Sequence, residues 1–179
     1  DAGLIAIQQA NQPNLDPQIV KLDPARVPFV VAFNPATEHL FVTAPDNQRV
    51  VVLDPYAIQW HLGRWTTVLH HKVMILEADN AGWIADLGVG QGAEEGIAVN
   101  PRTGYVYVAN AGDDTVSILR DGDDPASIAW VKDVAVGDFP QGVAVDVERN
   151  LIYVGNAGSR SLTVIDGATN TVIKTIPLD

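Results

Sequence analysis

The feature that most constrains this chain is an internal repeat. Three segments align without a gap: VPFVVAFNPATEHLFVTAPDNQRVVVLD (27–54), AEEGIAVNPRTGYVYVANAGDDTVSILR (93–120) and FPQGVAVDVERNLIYVGNAGSRSLTVID (139–166). Phe41, Tyr107 and Tyr153 fall in register, as do Val42, Val108 and Val154, at offsets of 66 and 46 residues. The second offset sits near the ~40–50-residue period of propeller blades. The first is that period plus the roughly twenty residues of an insertion at 55–74.

Each unit reads as short strands rich in Val, Ile and Tyr and bounded by turn residues, such as GVAVD, LIYVGN and LTVID. The first turn (NPATE, NPRTG or DVERN) needs a left-handed residue at its last position. Gly104 and Asn150 suit it, whereas Glu38 does not, so the first unit is expected to turn differently. In the second turn (APDNQ, NAGDD or NAGSR), Gly, Asn and Asp serve the same end. A fourth strand closes each unit, at 83–90, 129–137 and 171–178. Four antiparallel strands per repeat make one propeller blade. LIAIQ (4–8) and PQIVKLD (17–23) read as the third and fourth strands of a further blade.

The expectation is an all-β propeller of four-stranded antiparallel blades, about three and a half of them. They comprise a half blade at 1–23, a blade at 27–90 carrying the insertion, and blades at 93–137 and 139–179. Closed propellers typically have 4–8 blades, and an open one leaves raw strand edges. The sequence is therefore expected to be a piece of a longer propeller or to be completed by other chains, unless the insertion supplies the missing strands.

Composition narrows the partners. The formal net charge of −11, from 22 acidic against 11 basic residues, repels phosphate backbones, so no nucleic-acid partner is expected. It is compatible with a cationic partner, a divalent cation or a solvated acidic surface. The absence of cysteine removes disulfides, thiolate catalysis and zinc-thiolate sites. The longest apolar runs, such as VPFVVAF (27–33), are strand-sized, so no membrane-spanning segment is expected.

GYVYVANAGDDTVSILRD and LIYVGNAGSRSLTVIDGATNTVIKTIPL, each preceded by GIAVNP or GVAVD, resemble the YVTN-type β-propeller repeats, close to the NHL and lactonase-like propellers. The resemblance covers 93–179 and 27–54 best. It implies a propeller and, more often than not, a periplasmic, cell-surface or secreted location. It leaves the function among envelope scaffolds, propeller subunits of quinoprotein dehydrogenases and lactone hydrolases.

Propeller ligands bind at one end of the channel, where innermost strands begin. The positions just before those strands are Pro28-Phe29, Glu94-Glu95 and Pro140-Gln141. Phe29, Glu94, Glu95 and Gln141 are therefore channel-mouth candidates. A carboxylate there can hold a hard cation, polarise a water or bind an amine. Adjacent strand residues face opposite sides, so one of Glu94 and Glu95 at most faces the channel. No cofactor is expected beyond calcium, which lactonase-type propellers hold through Glu, Asn and Asp. By that resemblance its candidate ligands are Glu95, Asn110 and Asn156, although both asparagines also open the repeat's ordinary turns. Asp121, Asp123 and Asp124 lack the spacing of a calcium loop and read as solvated loop acids.

The insertion holds His61, His70 and His71 together with Trp60, Arg64 and Trp65. Residues 64–77 alternate well enough to form one added strand, which would point His70 and His71 to opposite faces. Trp60, His61, Arg64, Trp65 and His70 are candidates for a partner interface. The P-loop, the G-x-S-x-G elbow and the H-E-x-x-H helix are all missing.

Two functions remain open. The first is a non-catalytic interaction scaffold of the cell envelope or a larger extracytoplasmic assembly. The second is a propeller enzyme or enzyme subunit, lactonase-like or of the quinoprotein dehydrogenase kind. A calcium titration read by melting temperature tests the metal. With a channel calcium, Tm rises in the wild type and not in Glu95→Gln; equal curves retire the site.

Overall fold

Residues that alternate along a strand face opposite sides of a sheet, and here both sides are apolar. In Tyr105–Asn110, Val106 and Val108 point one way and Tyr107 the other, and all three are fully buried. Such a strand needs a neighbour sheet on each face.

The computed structural model describes residues 30–43, 89, 96–122 and 127–178 with their surroundings. For 4–7, 18–21, 44, 49–53, 58–61, 64–69, 72–74 and 83–88 it gives the strand course alone. β1 (Leu4–Ile7) and β2 (Gln18–Lys21) form an antiparallel pair. β3 (Val31–Asn34), β4 (His39–Ala44) and β5 (Arg49–Leu53) begin the first blade. Next come β6 (Ile58–His61), β7 (Arg64–Leu69) and β8 (Lys72–Met74), and then β9 (Trp83–Gly88), which pairs with β5 and completes the blade. The second blade is β10 (Ile97–Asn100), β11 (Tyr105–Asn110), β12 (Thr115–Arg120) and β13 (Ala129–Ala135). The third is β14 (Pro140–Asp146), β15 (Leu151–Asn156), β16 (Ser161–Asp166) and β17 (Thr171–Pro177). Every pairing within these sheets is antiparallel, and all but that of β5 with β9 join sequence neighbours, as blades require.

The insertion departs from expectation. It forms a three-stranded sheet of its own, β6-β7-β8, and does not add one strand over 64–77. Leu69 pairs with Lys72, so the chain reverses between them, and the argument about His70 and His71 on one strand lapses. Both histidines lie outside the described residues.

The first turn is left-handed in all three blades, at Glu38 (φ 61°), Gly104 (φ 71°) and Asn150 (φ 54°). Glu38 therefore adopts the geometry its residue type disfavours. In the first two blades the turn is set by an asparagine side chain that accepts a backbone N–H two residues on, Ala36 to Asn34 and Arg102 to Asn100. In the second turn the left-handed residue is Asp114 (φ 55°), one of the residue types expected there, or Arg160 (φ 47°), which is not. The outermost strand of each blade carries one extra residue at the matching place, skipping Ile84, Val131 and Ile173 in the ladder.

Two apolar layers lie between blades. Phe41, Val106, Val108, Leu119 and Ile128 fill the first, packed against Val89, Ile97 and Val99. Tyr107, Val116, Ile118, Ile152, Val154 and Ile165 fill the second. Each fully buried aliphatic or aromatic side chain contributes about 1.5–3 kcal/mol. Gly96 permits the close approach of the innermost strands, since a Cβ there would lie 2.3 Å from the carbonyl oxygen of Gln141.

Polar bolts cross the same layers. Asp121, expected as a solvated loop acid, is buried; its carboxylate accepts from Asn34 Nδ2 at 2.7 Å and from the Thr37 hydroxyl, and lies 2.7 Å from His39 Nδ1. Three groups of the first blade thus converge on one carboxylate of the second. Between the second and third blades, Asn100 Nδ2 donates to Asn150 Oδ1 at 2.7 Å, and the Tyr107 hydroxyl donates to Asn170 Oδ1 at 2.9 Å. Burial, with the negative fields of Tyr105 and Asp166, pushes the Tyr107 hydroxyl well above the usual phenol range, so it stays a donor.

Burial also works to raise the Asp121 carboxyl, but hydrogen bonds from His39, Thr37 and Asn34 outweigh it and hold the group below its ordinary range. A depressed carboxyl contributes stability that is present above its unfolded value and is lost as pH falls through the folded one. Asp121→Asn is expected to cost about 3 kcal/mol at neutral pH. In urea melts, that gap should shrink as pH is taken below about 4.

Candidate functional site

The innermost strands β3, β10 and β14 lie side by side, with β10 packed against both of the others. The ends at which these strands begin form one edge of the layer. There an open depression of about 610 Å³ lies at the head of the third blade. Gln141 and Gly142 from the start of β14, Gly155 and Asn156 from the end of β15, and Arg160 and Ser161 from the following turn and strand line it.

Local sequence explains the shape. The ladder between β14 and β15 slips between Pro140 and Gly142, leaving Gln141 as the extra residue of a bulge, a device that re-aims a side chain. Gly142 and Gly155 are register partners, and a Cβ on either would meet nothing within 4 Å. Gly142 stands at the repeat position of Gly96, which packs against the Gln141 carbonyl of the following blade. The turn from 157 to 160 is tied down by the loop entering the blade: Ala157 N–H and Gly158 N–H donate to the carbonyls of Phe139 and Asp138, both at 3.0 Å.

The two asparagines named from sequence are buried and held alike. Asn110 Nδ2 donates to Thr115 Oγ1 at 3.0 Å and Ser117 Oγ at 2.9 Å; Asn156 Nδ2 donates to Ser161 Oγ at 3.0 Å and Thr163 Oγ1 at 2.9 Å. The Ser117 hydroxyl gives its own proton to Asp133 Oδ1 at 2.6 Å, so toward Asn110 it can only accept. That fixes which way the Asn110 amide faces. Both Oδ1 atoms are left buried without a partner among the described residues.

Those two oxygens are of the type calcium takes. Among the described residues, however, no three His, Asp or Glu side chains gather to complete a metal site. Glu94, Glu95 and Phe29 lie outside the described residues, as do Asp123 and Asp124. Gly96, the chain neighbour of Glu95, is buried against the Gln141 carbonyl, and Glu95 aligns with Gln141 in the repeat. The interface candidates fall on one hairpin, where Trp60 pairs in register with Trp65 and His61 with Arg64; the sixth-to-eighth-strand sheet is described by its strand course, and His70 lies outside it.

Sequence reasoning passed over Arg160 and Ser161. The signal that could have found them is the contrast between the aligned turns NAGDD and NAGSR, which exchanges an acid for a base at one position. Among the described residues, Arg160 is the single charged side chain lining the cleft.

A family model described as Lactonase, 7-bladed beta-propeller, matches residues 9–172. No curated protein matches the sequence. Solved structures share the fold. Hydrazine synthase of Kuenenia stuttgartiensis is 22% identical with a TM-score of 0.59, over 83% of this chain and 35% of its own. A periplasmic gluconolactonase of Pseudomonas aeruginosa is 17% identical with a TM-score of 0.61, over 99% of this chain and 48% of its own. A putative 6-phosphogluconolactonase of Bacteroides fragilis is 16% identical with a TM-score of 0.59, over 96% and 46%. The chain thus spans less than half the length of these structures, and at such identities the likeness is one of fold. No helix among the described residues is long and apolar enough to cross a membrane.

Gly137 packs closely against the third blade, because a Cβ there would meet Ser159 Oγ and lie 2.7 Å from Asn156 Nδ2. Gly137→Ala is expected to push the Asn156 amide out of place and cost about 1–3 kcal/mol, read by thermal or denaturant melting.

Proposed function

The chain belongs to the lactonase family of seven-bladed β-propellers, and from that premise we propose that it is part of a hydrolase of small cyclic esters, with the ligand at the channel mouth where the innermost strands begin. The observation that carries the reading is the family match over residues 9–172. The family match and the gluconolactonase-type fold neighbours favour this hydrolase over an interaction scaffold. The proposal includes an extracytoplasmic location, supported by the periplasmic relative.

Ester hydrolysis needs a base to deprotonate water and a donor to hold the developing oxyanion. In this proposal Glu95 is the base, as a channel-mouth carboxylate of the sequence that aligns with Gln141 in the repeat. The water oxygen attacks the lactone carbonyl and its proton passes to Glu95. The Gln141 amide N–H donates to the carbonyl oxygen as charge builds there. The ring C–O bond then breaks, Glu95 returns the proton to the departing alkoxide, and the product is an open-chain hydroxy acid. No step is routed through a metal.

Acid release from glucono-δ-lactone, followed by pH-stat, tests the reading. The wild type should exceed the spontaneous rate, and Glu95→Gln should lower kcat by about 10²–10⁴-fold with its melting temperature unchanged. A wild-type rate no faster than the uncatalysed one overturns the proposal, as does full activity in Glu95→Gln.

A further inference from the structure

A chain of hydrogen bonds across the second blade locks the Asn110 amide in one orientation. Its N–H groups turn outward to β12, onto Thr115 Oγ1 at 3.0 Å and Ser117 Oγ at 2.9 Å. The Ser117 hydroxyl passes its proton to Asp133 Oδ1 at 2.6 Å, and Trp130 Nε1 donates to the same oxygen at 3.1 Å. A carboxylate only accepts, so it keeps the Ser117 proton from turning back toward Asn110. Reversing the amide would set its oxygen against the Ser117 oxygen. Bonds that run in one direction also strengthen one another.

The lock belongs to one blade and not to the repeat. Ala44 holds the place of Asn110 in the first blade. In the third, Asn156 donates to Ser161 and Thr163, but Thr175 stands in register where the second blade has Asp133. A requirement of the fold would recur at the same position, and this one does not. The second blade is packed on both faces, and Asn110 is fully buried within it. Its Oδ1 accepts no bond from the described residues, a costly state for a buried carbonyl. Asn110 ends β11 beside the start of β10, where Ala109 N–H donates to the Gly96 carbonyl at 2.8 Å. The residue therefore stands at the channel-mouth end of the blade.

We propose that Asn110 Oδ1 seats the attacking water of the ester hydrolysis, and that Asp133, acting through Ser117, is the positioning residue that keeps this oxygen presented. The proposal rests on the hydrolase reading and deepens it. A water held by its base alone still swings about that one bond. A second, neutral acceptor holds the other O–H and aims a lone pair at the ester carbon. One proton passes to the base as the new C–O bond forms. The proton on Asn110 is not transferred; it stays with the oxygen and ends in the carboxyl group of the product.

Two measurements on the purified protein test this, one of them independent of turnover. A crystal structure should show a water about 2.8 Å from Asn110 Oδ1. In Asp133→Ala crystals the amide should turn and that water should be lost. A protein N–H on the oxygen in place of water overturns the proposal. In pH-stat assays with glucono-δ-lactone, Asn110→Leu should lose about 10²-fold in kcat at an unchanged KM. Asp133→Ala should lose about tenfold, again in kcat alone. Asp133→Asn should recover most of that loss, because its amide oxygen still accepts from Ser117 and Trp130. Wild-type kcat in Asn110→Leu overturns the water seat and leaves the hydrolase reading standing. Wild-type kcat in Asp133→Ala, or an equal loss in Asp133→Asn, overturns the positioning role. A wild type that turns over no lactone sinks the hydrolase reading and the attack with it. The seat then stands or falls on the crystallographic water and its loss in Asp133→Ala.

Discussion

A blade in this protein is a sheet whose middle strands are buried on both faces, so no blade can satisfy its own sequence. β11 shows this most clearly. Val106 and Val108 are committed to the layer shared with the first blade, and Tyr107 to the layer shared with the third. Removing either neighbour would expose half of a strand that is apolar throughout. The close contact of innermost strands at Gly96 follows from this mutual burial.

Apolar layers alone tolerate sliding, and the polar bolts give them register. An aliphatic face can shift along its partner at small cost, whereas the carboxylate of Asp121 has to meet Asn34, Thr37 and His39 together. A displaced blade would strand a buried charge without partners, which is far more costly than a loosened methyl contact. The Asn100–Asn150 and Tyr107–Asn170 bonds constrain the next layer in the same way. The innermost strands inherit this order, since the Gln141 carbonyl of the third blade lies against Gly96 of the second.

Local pattern made the blades legible. Alternation, turn residues and a 46-residue offset located all three four-stranded sheets, and the first-turn position was read correctly at Gly104 and Asn150. What escaped was non-local or a matter of side-chain exchange. Asp121 sits in an acidic loop that reads as solvated, and its burial depends on residues 82 to 87 positions away. Glu38 is forced left-handed by the hairpin around it, against its own preference. Gln141 was expected just before an inner strand and lies within β14, as the extra residue of its bulge, whereas Arg160 read as an ordinary turn residue.

The extra residue skipped in each outermost strand has a bearing on how such molecules behave in a crowd. A straight outer strand offers a row of free N–H and C=O groups to any passing chain. One unpaired residue at Ile84, Val131 and Ile173 breaks the even spacing of that row and turns the strand more sharply. An incoming strand would lose its match after a few bonds, although Val131 and Ile173 are exposed and apolar. The repeated irregularity therefore acts as a guard against fibre-like stacking, built into the rim of every blade.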